Sequence, residues 1–300
     1  MTLEQCIMLL SIITLNYKKP QLTLACMASL HEQFGKEFAE NKMELVIVDN
    51  DSGDDSVAIL KEAIRKENYK NMHVIANAEN VGFGKGCNVG AKEAKGDYLL
   101  FLNNDTIVKD AGISAMTEYM QEHKHIAILG GQLRNSDNSL QASAGKFYTP
   151  VNALFLLLGL QRFGLLDTSP RHIAQVDWVK GGLLMIRKEV FHQLSGFDEK
   201  IFMYIEDMEL CYRANEAGFK TYFYPDVMVV HKEHGSTNRS FAIVHIYQNL
   251  LYFYKKHRSS AEYTFIHFIM KTKAAILIII GKLLGNSYLT STYEQAFKVL

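Results

Sequence analysis

Cysteine is scarce and scattered. Cys6, Cys26, Cys87 and Cys211 lie far apart, and no CxxC pair brings two of them together. That spacing excludes the common zinc and dithiol motifs and reads as reduced core thiols of a cytosolic protein. Proline is limited to four residues, which excludes a proline-rich linker. Neither sign of charge is in excess, because 32 Lys and Arg balance 32 Asp and Glu. A generic nucleic-acid binder needs a basic surplus against phosphate, so no nucleic-acid partner is expected. No uninterrupted apolar run reaches about 18 residues, and no membrane-spanning helix is expected. The apolar residues 6–15 follow Glu4 without a basic segment or a small-residue cleavage site, so a buried strand explains them better than a signal peptide. The sequence also lacks GxxxxGK[ST], GxSxG and HExxH, and GxGxxG fails at Cys87.

What the chain has is apolar mass. Hydrophobic residues make up 48% of 300, enough for one large α/β domain with an appendage. MLLSIITL (8–15), ELVIVD (44–49), MHVIA (72–76) and DYLLFLN (97–103) read as strands apolar on both faces. Helical composition fills 20–40, 54–68 and 83–95. This alternation predicts a mostly parallel sheet flanked by helices. Gly96 reads as the glycine just past a helix end. Beyond residue 105 the pattern loosens, and ALFLLLGL (153–160) is either an apolar lip or a small core element.

Parallel sheets bind ligands beyond the carboxyl ends of their strands. Each predicted strand is followed there by polar or glycine residues: Asn16-Tyr17, Asp49-Asn50-Asp51-Ser52, the loop from Asn80 to Gly86, and Asn103-Asn104-Asp105. Gly82, Gly84 and Gly86 read either as a turn into a helix or as backbone that a phosphate can approach. Asp105 reads as a ligand for Mg²⁺ or Mn²⁺, completed by His231 and substrate phosphates, or else as part of an Asx turn. Glu206-Asp207, with Glu209 beyond, reads as acidic residues favoured by a helix dipole or as a general base.

The last fifty residues differ from the rest. Residues 251–300 hold seven basic side chains against two acidic ones, a net +5 that leaves −5 for the first 250. YTFIHFIM (263–270) and AAILIIIG (274–281) are apolar. Basic residues beside apolar helical segments suit either a surface on an anionic membrane or helices packed on the domain. The chain is therefore expected to divide into an α/β domain, 1–250, and a helical extension, 251–300.

Taken in order, SIITLNY, IVDNDSGDDS, NVGFGKGCNVGAKEAKGDYLLFLNNDT, WVKGGLLMIRKEVF, GFDEKIFMYIEDMELCYRANEAGF and VVHKEHGST resemble the family 2 glycosyltransferases, nearest to their bacterial rhamnosyltransferase-like branch. The resemblance spans about residues 8–255. It implies a GT-A fold and a metal-dependent, inverting transfer from a nucleotide-sugar donor to a glycan or lipid-linked glycan. The donor it suggests is dTDP-rhamnose or a UDP-hexose. By similarity, Tyr17 and Asp49 contact the base, and Asn80, Gly82 and Asn88 line the nucleotide crevice. Asn104 and Asp105 occupy the DxD position, with Asn where other members have Asp, in an N-x-D pattern. Asp207 matches the catalytic base, with Glu206 the second candidate, and His231 matches a metal-shell histidine. Trp178, Gly181 and Gly182 match the loop beside the donor sugar and acceptor. The implied location is cytoplasmic, with peripheral contact at the inner membrane face through the extension. Two rival readings are an inactive scaffold of the same fold and a sugar nucleotidyltransferase, although Asn16-Tyr17-Lys18-Lys19-Pro20 lacks the latter's glycines.

Overall fold

The computed structural model describes residues 9–159, 166–232 and 239–300. Strand and helix alternate first: β1 (Leu10–Asn16), α1 (Pro20–Ala39), β2 (Met43–Asp49), α2 (Ser56–Lys66), β3 (Met72–Ala76), α3 (Phe83–Glu93) and β4 (Tyr98–Leu102). Next come β5 (Thr106–Val108), α4 (Gly112–Glu122) and β6 (Ile126–Arg134). Short pieces follow: β7 (Ala144–Gly145), α5 (Pro150–Leu157), β8 (Asp167–Thr168), β9 (Ala174–Gln175) and β10 (Trp178–Val179). Then β11 (Leu183–Arg187), α6 (Lys188–Gln193), α7 (Glu206–Glu216) and β12 (Lys220–His231) lead into α8 (Arg239–His257), α9 (Ser260–Leu283) and α10 (Ser287–Lys298).

The main sheet runs β3-β2-β1-β4-β11-β6-β12-β5. From β3 to β4 every pairing is parallel. β11 then inserts antiparallel to both β4 and β6, β6 pairs β12 in parallel, and β5 returns antiparallel. The parallel character read from the sequence thus holds in the first four strands, and the sheet is mixed beyond them. β10, β7 and β8 form a small second sheet.

The near-continuous apolar strands follow from burial on both faces. Successive side chains point to opposite faces, so Ile12, Leu45, Ile47 and Leu100 enter one core with α1 and α4. Ile13, Val46, Val48 and Phe101 enter the other. That second core also holds Cys211 of α7, Phe253 of α8, Met270 of α9 and Ala296 of α10. Residue 250 lies inside α8, and the C-terminal helices share the core beneath the sheet. The apolar stretch 153–159 belongs to α5 and its end, with Ala153 and Leu157 buried and Leu158 exposed; residue 160 lies outside the described residues.

One expectation needs correction. Gly96 is not a left-handed helix cap: α3 ends at Ala94 in extended backbone. A Cβ at Gly96 would lie 2.6 Å from the Ser11 backbone nitrogen, so close approach to β1 demands glycine there. By length and composition α9 is long and apolar enough to cross a membrane, with a mean hydropathy of 1.6 over 18 residues. Lys271 and Lys273 interrupt the apolar run without lowering that mean below spanning level. Its Ile266, Met270, Ala274 and Gly281 are nonetheless buried against the domain.

Glu209 joins α7 to α8. Fully buried, it takes Arg213 from its own helix, and its Oε1 accepts from Lys256 Nζ at 2.8 Å and from His257 Nε2 at 3.0 Å. Burial alone would raise the carboxyl pKa. His257, Arg213 and Lys256 together outweigh burial and hold it below its ordinary value. Stability from this group is therefore present above the carboxyl's unfolded pKa and is lost as pH falls through the depressed folded pKa. Glu209→Gln removes the charge that faces Arg213 and Lys256 and should cost about 3–5 kcal/mol in urea unfolding at neutral pH. An unchanged midpoint and slope would refute this role.

Candidate active site

The carboxyl ends of β1, β2 and β4 meet in a chain of hydrogen bonds. Asn16, the last residue of β1, gives Nδ2 to Asp49 Oδ2 at 2.7 Å. Asp49 ends β2 and also accepts Ser52 N at 3.0 Å and Ser52 Oγ at 2.7 Å. Thr23 in α1 donates its hydroxyl to Asn16 Oδ1 at 2.7 Å and accepts Asn104 Nδ2 at 2.9 Å. A threonine hydroxyl has one proton, and here Asn16 receives it. Position 104 must therefore supply a donor, which is a physical reason for Asn rather than Asp there. Tyr17, beside Asn16, is exposed, with Lys18 Nζ 5.1 Å from its ring centroid.

The neighbouring Asn cluster is equally closed. Asn50 Nδ2 donates to Asn80 Oδ1 at 2.9 Å and to Gly82 O at 3.0 Å. Asn80 Oδ1 in turn accepts Gly82 N at 3.1 Å. Gly82 has φ +82°, and a Cβ there would strike Phe202 O at 2.2 Å. Phe83 N, at the start of α3, donates to that same oxygen at 2.7 Å. Cβ atoms at Gly84 and Gly86 would collide with Phe197 and Leu15. These glycines accommodate the protein's own close packing, which accords with the reading of them as a turn into a helix. Asn88 is buried, and its amide both accepts Phe197 N and donates to Phe197 O, each at 2.9 Å. It clamps α3 to the segment before α7.

Asp105 and His231 come together from β4's end and β12's end. His231 Nε2 lies 3.2 Å from Asp105 Oδ1 and 3.0 Å from Asn103 Nδ2. Gln141 Nε2 donates to the backbone oxygen of His231 at 3.0 Å. The other amide atom, Oε1, therefore faces His231 Nδ1 at 2.9 Å and accepts its proton. In the neutral ring, Nε2 then presents a lone pair beside the Asp105 carboxylate. That nitrogen-plus-oxygen donor set fits Mn²⁺ or Mg²⁺ when phosphate oxygens and water complete the shell. Among the described residues, no group of three His, Cys, Asp or Glu side chains is arranged to hold a metal by itself. Of the VVHKEHGST motif, residues 233–238 lie outside the described residues.

β11 links this pair to the acidic helix. Gly182 O accepts Asn103 N at 3.3 Å, and Gly181 N donates to Asp207 Oδ2 at 2.9 Å. A Cβ on Gly181 would make only ordinary contact with Phe83 and Asp207. Trp178, by contrast, is buried, and its Nε1 donates to Lys146 O at 3.1 Å. Its ring supports the loop from beneath.

The start of α7 is strained. Tyr204 and Ile205 have φ of +70° and +72°, which is uncommon for any non-glycine residue and exceptional for a β-branched one. Buried Asn249 of α8 holds this turn by donating to Met203 O at 2.7 Å and to Tyr204 O at 3.2 Å. The turn delivers Glu206 and Asp207 with different surroundings. Glu206 is buried, its Oε2 has no partner, and burial beside Asp207 raises its pKa well above the ordinary value. Burial also raises Asp207, but the Gly181 and Met208 amides and nearby Lys180 oppose the rise. Asp207 is therefore the member of the pair that ionises first.

Neither Thr23 nor Gln141 stood out in the sequence. Both are common polar residues in segments without a motif, and only the fold brings them to the strand ends. Buried thiols take no part: burial pushes Cys26 and Cys211 up to about 12.

Two predictions follow from this geometry. Asn104→Asp leaves one buried acceptor without a donor and should cost about 1–3 kcal/mol in chemical denaturation; an equally stable variant would refute the assigned proton arrangement. Glu206 stays protonated while its unfolded counterpart ionises, so stability should fall as pH rises from the carboxyl's unfolded pKa toward the raised folded one. Glu206→Gln should flatten that slope, as read from thermal midpoints between pH 5 and roughly pH 8.

The chain matches the Glycosyl transferase family 2 profile over residues 11–191, more than half its length. It is 29% identical over 228 residues to rhamnosyltransferase WbbL of Escherichia coli (strain K12), covering 70% of this chain and 83% of that one. It is 26% identical to the N-acetylglucosaminyl-diphospho-decaprenol L-rhamnosyltransferase of Mycobacterium tuberculosis (strain CDC 1551 / Oshkosh), over 67% and 70% of the two chains. The solved mannosyltransferase PcManGT from Pyrobaculum calidifontis, in complex with GDP-Man and Mn²⁺, superposes with a TM-score of 0.58 at 15% identity. That match covers 96% of this chain and 73% of the other.

Proposed function

The chain belongs to glycosyl transferase family 2, and from that premise we propose that it moves a sugar, with inversion, from a nucleoside-diphosphate donor to a hydroxyl of a cell-surface polysaccharide or lipid-linked glycan. The relatives' names favour L-rhamnose as the sugar, with dTDP-rhamnose the first donor to test and a UDP-hexose the second. The mycobacterial relative's name favours a lipid-linked acceptor.

The observation that carries this reading is the convergence of Asp207 and the Asp105–His231 pair on the two sides of Gly181-Gly182 and Asn103. Asp207 is the general base. Its carboxylate takes the acceptor hydroxyl's proton as that oxygen bonds to the anomeric carbon and the bond to the donor phosphate breaks. The raised pKa makes Asp207 a stronger base than an exposed aspartate, and neighbouring Glu206, kept protonated by burial, spares it a second negative charge. Gly181 N–H holds the carboxylate in place. Tyr17, Asp49, Asn80, Gly82 and Asn104 form the nucleotide side, and Trp178 with Gly181-Gly182 shapes the sugar side. Asp105 and His231 would hold Mg²⁺ or Mn²⁺ with the donor's phosphates; such an ion neutralises charge on the departing diphosphate. Asn88 supports this side by fixing α3.

The test is nucleoside-diphosphate release from a panel of nucleotide sugars with Mn²⁺, Mg²⁺ or EDTA. Asp207→Asn should lower turnover by roughly 10²–10⁴ while calorimetry finds nucleotide binding nearly intact. With the wild type, kcat/KM should rise with pH along a limb lying above the ordinary aspartate range, because only ionised Asp207 accepts the proton. Full activity in Asp207→Asn would overturn the base assignment. Asp105→Ala should abolish the metal dependence of nucleotide binding, and an unchanged metal titration would remove Asp105 from the ligand set. No turnover and no nucleotide binding across the panel would favour the inactive scaffold.

A further inference from the structure

α9 is apolar on two opposite faces, and only one of them is packed. Ile266, Met270, Ala274 and Gly281 recur at steps of four and seven and lie buried, with α8 and α10 alongside. About half a turn away, Phe265, Phe268, Ile276, Ile279 and Leu283 form a second stripe at helical spacing. These side chains face solvent: Phe268 is 67% exposed, Ile279 58% and Leu283 81%. Neighbouring α5 is tied to α9 through Lys273 Nζ, which donates to Leu157 O, and it adds exposed Val151 and Leu158. Scattered apolar residues on a surface are ordinary, whereas a continuous stripe marks a contact surface.

Charge identifies what covers it. From Tyr263 to Tyr293 the sequence has no acidic residue, while Lys271 and Lys282 flank the stripe. Lys282 has one exposed partner, Glu294, at 3.2 Å, a pairing that contributes little. Lys271 lies over the Phe297 ring, 5.9 Å from its centroid. A second copy meeting this face symmetrically would set lysine rows together with no carboxylate in the stripe to pair them. An anionic lipid surface supplies both the apolar layer and the negative charge. The buried face excludes a spanning arrangement, since lipid cannot surround a helix that forms part of a protein core.

We propose that α9 lies in the plane of an anionic membrane surface, with Phe265, Phe268, Ile276, Ile279 and Leu283 inserted and Lys271 at the headgroups. The sheet and its crevice then stand over the bilayer. This goes beyond the transferase assignment and needs no particular sugar.

The experiment is flotation of the full chain with vesicles of phosphatidylethanolamine and phosphatidylglycerol, compared with phosphatidylcholine alone. The wild type should float with the anionic vesicles and at least tenfold less with the neutral ones. Phe268→Asp with Leu283→Asp should reduce flotation at least tenfold at unchanged circular dichroism. Lys271→Glu, which reverses the charge of a half-buried lysine beside the Phe297 ring, should weaken binding to the anionic vesicles only. Wild type that stays at the bottom of the gradient, indifference to lipid charge, or equal flotation of both variants would overturn the proposal. So would a concentration-dependent dimer in sedimentation that Phe268→Asp dissolves, because the stripe would then be a contact between copies. Nucleoside-diphosphate release without vesicles, measured on the same preparations, reports the transferase reading separately. Its loss in the wild type would refute that reading and leave the flotation result standing.

Discussion

The placement of β11 between β4 and β6 is the constraint on which the rest depends. Its antiparallel pairing with β4 sets Leu183 opposite Leu102. The residues just before β11 therefore arrive beside those just after β4. Gly182 meets Asn103, and Gly181 is left to donate its N–H to Asp207. If β11 paired one residue out of register, its inward and outward faces would exchange and Leu184 and Met185 would swap cores. The two-sided core makes that slip costly. The position of Gly181 and Gly182 beside Asn103 is consequently set by packing on both faces of the sheet.

Strain sits where this arrangement ends. Tyr204 and Ile205 occupy left-handed backbone immediately before Asp207, at a cost of about 1–3 kcal/mol each. The surrounding structure over-determines them. Asn249 of α8 grips the carbonyls of Met203 and Tyr204, while Gly82 and Phe83 meet the backbone of Phe202. The Glu209 cluster then fastens α7 to the end of α8. The C-terminal helices are therefore part of how the acidic pair is held, while α9 turns an apolar stripe outward.

Reading the sequence recovered the first four strands to within two residues at either end. β1, β2 and β4 are buried on both faces, and such strands announce themselves as unbroken apolar runs, while β3 is a partly buried edge strand. The short strands β7, β8, β9 and β10 carried no comparable signal, because two residues have no periodicity. Gly96 was misread for a physical reason: a glycine after a helix usually relieves a positive φ, but here it relieves contact with the Ser11 backbone. The loop from Gly82 to Gly86 was legible as special, although not what its glycines touch. Asp105, His231, Asp207 and Gly181 were all visible as motif residues, and the structure brings them into one neighbourhood.

By itself the sequence determined which residues alternate between strand and helix and which polar side chains follow each strand. Those properties depend on neighbours along the chain. It also determined the family, since six ordered motifs carry that identity whatever the packing. Only the tertiary structure decided which acid of Glu206-Asp207 ionises first, because both are carboxylates of similar intrinsic strength and differ through burial and the Gly181 amide. It decided, too, why Asn stands at position 104, through a single proton on Thr23. Gln141, ninety residues from His231 in sequence and hydrogen-bonded to it in space, belongs to the same class. Hydrogen bonds across such separations leave no periodic mark in the chain.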